Sequence, residues 1–124
     1  MKDLFEISFD EKGITRKENF YRIFWLWNKI TSGKGYREEK IEWQNIKEIY
    51  VYKRDAYIVD IIAMAFRMED EKVFETNEQM AGWQLLIDNL PKIFPESKPF
   101  HEWFMEVAFP AFEFNLIKIY PREN

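Results

Sequence analysis

His101 is the only histidine of the chain and the first residue to weigh as a general base, because Glu102, Glu106 and Glu113 lie near it in sequence. Glu102, however, is its immediate neighbour, and on a helix only residues three or four apart share a face. No His-x-x-x-His or His-Glu-x-x-His spacing exists, so a two-histidine zinc site within one chain is excluded. The pattern predicts a polar His101 on the outer side of a helix. Cysteine is absent, which removes disulfides, thiolate zinc sites and a cysteine nucleophile. Gly33-Lys34-Gly35 is a fragment of a phosphate loop without the remaining spacing, and it reads as a flexible connection. No G-x-S-x-G elbow occurs. Glu69-Asp70-Glu71 offers oxygens to a divalent cation but lacks the spaced acids and glycine of a calcium loop. Three acids at a hairpin tip are usually just solvated. No catalytic residue, metal or cofactor is expected.

Asp60 is the carboxylate that asks for an explanation. It falls in a segment, Ile58 to Phe66, whose alternate positions are apolar on both sides. A carboxylate buried there needs a partner, and Lys53 or Arg54 could supply a charge-assisted hydrogen bond. Asp55 could also lie near it across a strand, where a raised pKa would make a general acid. The reading preferred is a structural ion pair of Asp60 with Lys53 or Arg54.

Nucleic acid is a poor match. Lys29, Lys34, Arg37 and Lys40, with Tyr36, are the raw material of a single-strand groove, but Glu38, Glu39 and Glu42 interrupt them. The chain carries 18 Lys and Arg against 22 Asp and Glu, a net charge of −4. A domain-wide basic footprint is therefore missing.

Aromatic residues are the strongest remaining signal. Phe, Tyr and Trp make up 19% of the 124 residues, which argues against disorder and for a packed core. Trp43, Trp83 and Trp103 each fall on a regular apolar pattern and read as core. Phe20, Tyr21, Phe24, Trp25 and Trp27 are too densely clustered to face inward together from one small domain. The plain alternative is that this stretch wraps over an open end of the fold. Clustered exposed aromatics mark binding surfaces, so these five residues are the candidate partner or self-association surface.

The elements that would position these groups run from strands to helices. Phe5, Ile7 and Phe9 alternate with polar residues as one strand, and Asp10 to Gly13 forms a turn with a glycine available for positive φ. Residues 14 to 17 begin the return strand. Periodicity cannot separate helix from strand over 20 to 30, and a short helix or irregular insertion is preferred. Thr31 to Gly35 closes it as a loop. Strands are expected at 36–43, 46–53, 58–66, 73–75 and 112–120, with turns at Gln44-Asn45, Arg54-Asp55-Ala56 and Glu69 to Lys72. Apolar residues on both faces place 58–66 centrally in the sheet. Thr76 and Gln79 form a capping-box pattern, with Asn77 as an alternative cap, ahead of a helical face of Met80, Trp83, Ile87, Leu90 and Phe94; Pro91 bends or ends the helix, which is expected to stop near Leu90 or to add one turn to Phe94. A second helix runs from Phe100 to Val107 and stops before Pro110. The expected fold is α+β, a mostly antiparallel sheet or partial barrel with two C-terminal helices and a closing strand, in one domain. The absence of a signal-peptide pattern or membrane-length apolar run predicts a cytoplasmic protein with no membrane partner.

The series Ile7-Ser8-Phe9-Asp10, Gly13-Ile14, Ile41-x-Trp43-x-x-Ile46-x-x-Ile49, Lys53-Arg54-Asp55 and Asp60 resembles a family of small uncharacterised bacterial proteins. Gly82-Trp83, Trp103, Phe109-Pro110-Ala111-Phe112 and Tyr120 continue that resemblance through the tail. It implies a pleckstrin-homology-like fold and brings no reaction with it. Residues 20 to 35 depart from the pattern, being longer and far more aromatic than the short hairpin the resemblance implies. The expected function is a non-enzymatic protein-binding module of bacterial type, with a toxin-neutralising immunity-type protein as its specific form, since an acidic chain can pair with a basic nuclease. The alternative is a small-ligand-binding protein or enzyme using a pocket between sheet and helices.

Overall fold

A computed structural model describes residues 5–26, 29–56, 59–108 and 116–121, with side chains described outside 19–36 and 55–59. The fold is α+β. Strands β1 (Phe5–Phe9), β2 (Gly13–Leu26) and β3 (Lys29–Glu42) form one antiparallel sheet in chain order. A 3-10 turn at Trp43–Asn45 leads to β4 (Ile46–Ala56), β5 (Val59–Met68) and β6 (Val73–Asn77). Helices α1 (Trp83–Ile93) and α2 (Phe100–Ala108) follow, and β7 (Leu116–Tyr120) returns beside β4. The second sheet therefore has the order β6-β5-β4-β7 among the described residues. β5 and β4 are its interior strands, as the two apolar faces of 58–66 predict.

The core lies between the sheets and under the helices. Ile7 and Ile14 from the first sheet meet Ile49, Val51, Met64 and Phe66 from the second, with Leu86, Leu90, Trp103 and Val107 from the helices. Trp43 and Trp83 are also buried, as their spacing predicts. Trp43 packs edge-on against both Phe9 and Phe94. Its indole N–H donates to the carbonyl of Asp10 at 2.8 Å, so the β1–β2 turn is tied to the entry of β4.

Four local expectations are corrected. Residues 20–26 and 29–35 are strand, in a continuous antiparallel hairpin from Gly13↔Glu42 to Leu26↔Lys29. The expected helix or insertion at 20–30 and the loop at 31–35 are therefore wrong where described, while Trp27 and Asn28 lie outside the described residues. Apolar residues on both sets of alternate positions hid the period of two. Arg54, Asp55 and Ala56 continue β4, paired through Asp55↔Asp60 and Ala56↔Val59, rather than forming a turn. Thr76 does not cap a helix. It pairs with Met64 in the ladder, and its hydroxyl donates to the Met64 carbonyl at 3.3 Å. Gly13 is needed for close approach rather than for positive φ: a Cβ there would stand 2.0 Å from the Ile41 carbonyl oxygen.

Positive φ is required instead at Gly82, the N-cap of α1, where φ is 93°. A Cβ on Gly82 would also fall 2.2 Å from the Ile7 carbonyl oxygen. The segment before it is bonded to the edge of β1, Ile7 N–H to Ala81 O at 2.7 Å and Ala81 N–H to Phe5 O at 3.1 Å. Gly82 thus sets both the start of α1 and its seat on the first sheet. Gly82→Ala is expected to lower folding stability by at least about 2 kcal/mol, since the left-handed penalty and the backbone clash add. Urea unfolding checks this, and a loss under about 0.5 kcal/mol would show that the junction yields freely.

Candidate functional site

The register of the β2–β3 hairpin is written in charge. Arg16, Lys17 and Glu18 stand opposite Glu39, Glu38 and Arg37, three opposite-charge cross-strand pairs in succession. Such pairs each favour one register modestly. Arg16 approaches Glu39 to 2.9 Å and Arg37 approaches Glu18 to 3.6 Å. The basic stretch weighed for nucleic acid is thus partly engaged: Lys40 also lies 3.5 Å from Glu38. Arg16 does a second task. Its guanidinium donates to the Glu75 carbonyl at 2.5 Å and lies 4.8 Å from the centre of the Phe74 ring, linking the two sheets.

β1 pairs with β2 only from Phe9↔Ile14 to Phe5↔Glu18 among the described residues. Beyond that point the hairpin continues as a two-stranded ribbon, from Asn19↔Tyr36 to Leu26↔Lys29. At strand rise this is about 25 Å of ribbon. Phe20, Phe24 and Leu26 occupy one set of alternate positions of β2, and Tyr21, Ile23 and Trp25 the other. The candidate surface residues Phe20, Tyr21, Phe24 and Trp25 are therefore gathered on this ribbon, whereas Trp27 lies outside the described residues. Gly33 and Gly35 stand opposite Arg22 and Phe20 as strand residues of β3.

Asp60 and Lys53 lie on the core-facing positions of β5 and β4. The Lys53 ammonium, its side chain 2% exposed, lies 3.8 Å from the Asp60 carboxylate and donates to the Ala108 carbonyl at 3.3 Å. Ala108 ends α2, so the cation also meets the negative end of that helix. Arg54 is engaged elsewhere, bonding Glu75 at 3.0 Å. Glu75 also accepts from the Tyr52 hydroxyl, which reaches across β5 where the small Ala63 and Ala65 leave room. Burial and this bond push the Tyr52 phenol well above its usual range and keep it protonated.

At the other end of β4, Glu48 accepts from the Tyr50 hydroxyl at 2.8 Å and from Arg67 at 2.6 Å, with Lys118 3.8 Å away. The Tyr50 bond, then Arg67, hold the Glu48 carboxyl below the usual glutamate range. A depressed carboxyl pKa stabilises the fold above the unfolded value of about 4.3 and loses that contribution as pH falls through the folded value. Glu48→Gln should therefore flatten the loss of stability below about pH 4.3. Denaturant midpoints from pH 3 to 7 check it, and an unchanged acid slope would assign the loss to other carboxylates.

The remaining chemical candidates stay apart. His101 is exposed on α2, and Glu69, Asp70 and Glu71 are exposed at the β5–β6 turn, with Glu71 bonded to Arg67. No group of three or more His, Asp or Glu among the described residues could hold a metal ion. No helix among them is long and apolar enough to cross a membrane. The linkage through Arg16 was missed by sequence reasoning, because a single arginine in a strand carries no signal of which distant carbonyl it reaches. Comparison with protein-family models, curated proteins and solved structures finds no match to this chain.

Proposed function

We propose that this chain is a protein-binding module without chemistry of its own, and that the β2–β3 ribbon beyond Glu18 and Arg37 is its contact surface. One observation carries the reading: a two-stranded ribbon bears apolar residues at both sets of its alternate positions. Such a ribbon can rest at most one face on its own fold, and alone in water it is marginal. The other face then requires a partner or a second copy. The ribbon's outer strand also offers an edge of backbone donors and acceptors for strand addition. The net charge of −4 suits a basic protein partner, as in the pairing of an immunity-type protein with a toxin. Cytoplasmic action of bacterial type, with a fold akin to the pleckstrin-homology class, belongs to this proposal.

The test is Tyr21→Ala and Trp25→Ala, measured by thermal melting and by light-scattering mass over a concentration series, alone and with co-purified partner. Little change in melting with loss of association supports the reading. Large destabilisation with association unchanged would make the ribbon a structural flap.

A further inference from the structure

Between α1 and α2 lies a cleft of about 510 Å3, lined by Ile62, Glu78, Met80, Trp83, Gln84, Phe100, Trp103 and Phe104 among others. Its size falls within the range of small-molecule sites, about 300–1,000 Å3. The Phe100 ring packs 5.0 Å from both Trp103 and Phe104, edge-on to the first and tilted to the second. Phe100 itself is 38% exposed, at the mouth.

Glu78 is the single ionised residue among the described lining, which contains no Lys, Arg or His. The carboxylate is fixed in place. The Glu78 N–H donates to the Ile62 carbonyl at 3.0 Å, and the Ile62 N–H donates back to Glu78 Oε1 at 3.0 Å. This reciprocal pair closes the β5–β6 ladder as the chain leaves β6, and it anchors one carboxylate oxygen to the sheet. Among the described residues, Glu78 makes no ion pair, and it lines the cleft as a solvent-exposed residue.

We propose that this cleft binds a weakly hydrated organic cation, an alkylated ammonium. Phe100 and Phe104 are the lining rings with exposed surface, Trp83 and Trp103 being buried beneath them, and a cation over an aromatic face beside a carboxylate is attracted most when it sheds water easily. A hard metal ion is disfavoured, since it seeks several oxygens. An anion is repelled. A neutral apolar molecule would use the rings but gain nothing from Glu78. The cation could arrive as a free small molecule or as a methylated lysine side chain, and the chemistry recognised is the same. The proposal is independent of the ribbon, which lies on other elements.

The experiment titrates the full chain with choline and with its neutral isostere 3,3-dimethyl-1-butanol, followed by tryptophan fluorescence and indole N–H shifts. A trimethyllysine peptide and its unmodified counterpart form a second arm. Choline is expected to bind about tenfold more tightly than the isostere. Glu78→Gln, whose amide oxygen can still accept from Ile62, should remove that preference while leaving the isostere's affinity unchanged. Phe100→Ala, at an exposed position, should weaken the cation about tenfold without unfolding the chain. A clear advantage of the methylated peptide over choline assigns the source to a protein tail, and parity assigns it to a free ligand. Equal binding of choline and the isostere, or no saturation by either up to about 50 mM, would overturn the proposal.

Discussion

Replacing Trp103 with alanine is expected to cost about 3–5 kcal/mol of folding stability, the usual loss for a large aromatic removed from a core. Trp103 is 1% exposed and is among the largest fully buried side chains of the molecule. It stands on α2 beside the equally buried Val107, and its ring packs edge-on to Phe100 at 5.0 Å. α2 spans only Phe100–Ala108, too short to hold itself as a helix in water. Its stability must come from the face that Trp103 and Val107 bury. The loss should therefore appear as global unfolding at lower denaturant with an unchanged slope, rather than as local fraying. A loss under about 1 kcal/mol would mean that α2 is an accessory to a core formed without it.

The second large effect concerns the Lys53–Asp60 pair. Asp60→Asn removes a counter-charge 3.8 Å from an ammonium whose side chain is 2% exposed. Breaking a buried ion pair in this way costs about 3–5 kcal/mol, and the 16% exposure of Asp60 places the expectation near the lower limit, about 3 kcal/mol. The double variant Lys53→Met with Asp60→Leu should recover most of the loss, because an apolar pair of similar volume removes the desolvation problem altogether. Thermal and urea unfolding of the single and double variants decide this. A single variant as stable as the parent would show that the pair is solvated in practice, and a double variant as weak as the single would show that packing, not charge, is at stake.

Legibility in the sequence followed the simplicity of the local pattern. Phe5-Ile7-Phe9 alternates cleanly and is β1; Trp83, Ile87 and Leu90 repeat at helical spacing and are the buried face of α1. Pro91 marked a stop near Leu90 or one more turn to Phe94, and the helix takes that turn, running to Ile93 with Phe94 as its C-cap. The ribbon was illegible as strand because both of its alternate sets are apolar, a pattern that helix and buried strand share. A usable signal was nevertheless present. Arg16-Lys17-Glu18 reads as the charge complement of Arg37-Glu38-Glu39 taken in reverse, and an antiparallel pairing at that register predicts a hairpin through everything between. Thr76 shows the opposite failure, a sound local capping signal overridden by a ladder partner distant in sequence. The cleft beside Glu78 was beyond sequence reasoning for the same reason: its lining comes from β5, the segment after β6, α1 and α2.

The central claim is that the ribbon beyond Glu18 and Arg37 serves contact with another protein molecule rather than the integrity of the fold. Its most direct measurement is a shortened chain in which residues 19–36 are replaced by Asn-Gly, a two-residue turn suited to joining the strands at Glu18 and Arg37. Sedimentation equilibrium and pull-down from the native host, beside urea unfolding, compare it with the full chain. The account predicts an unfolding free energy within about 1 kcal/mol of the parent, with self-association or partner capture lost. A shortened chain that unfolds several kcal/mol more easily, or that keeps the same partner and the same mass, would contradict it.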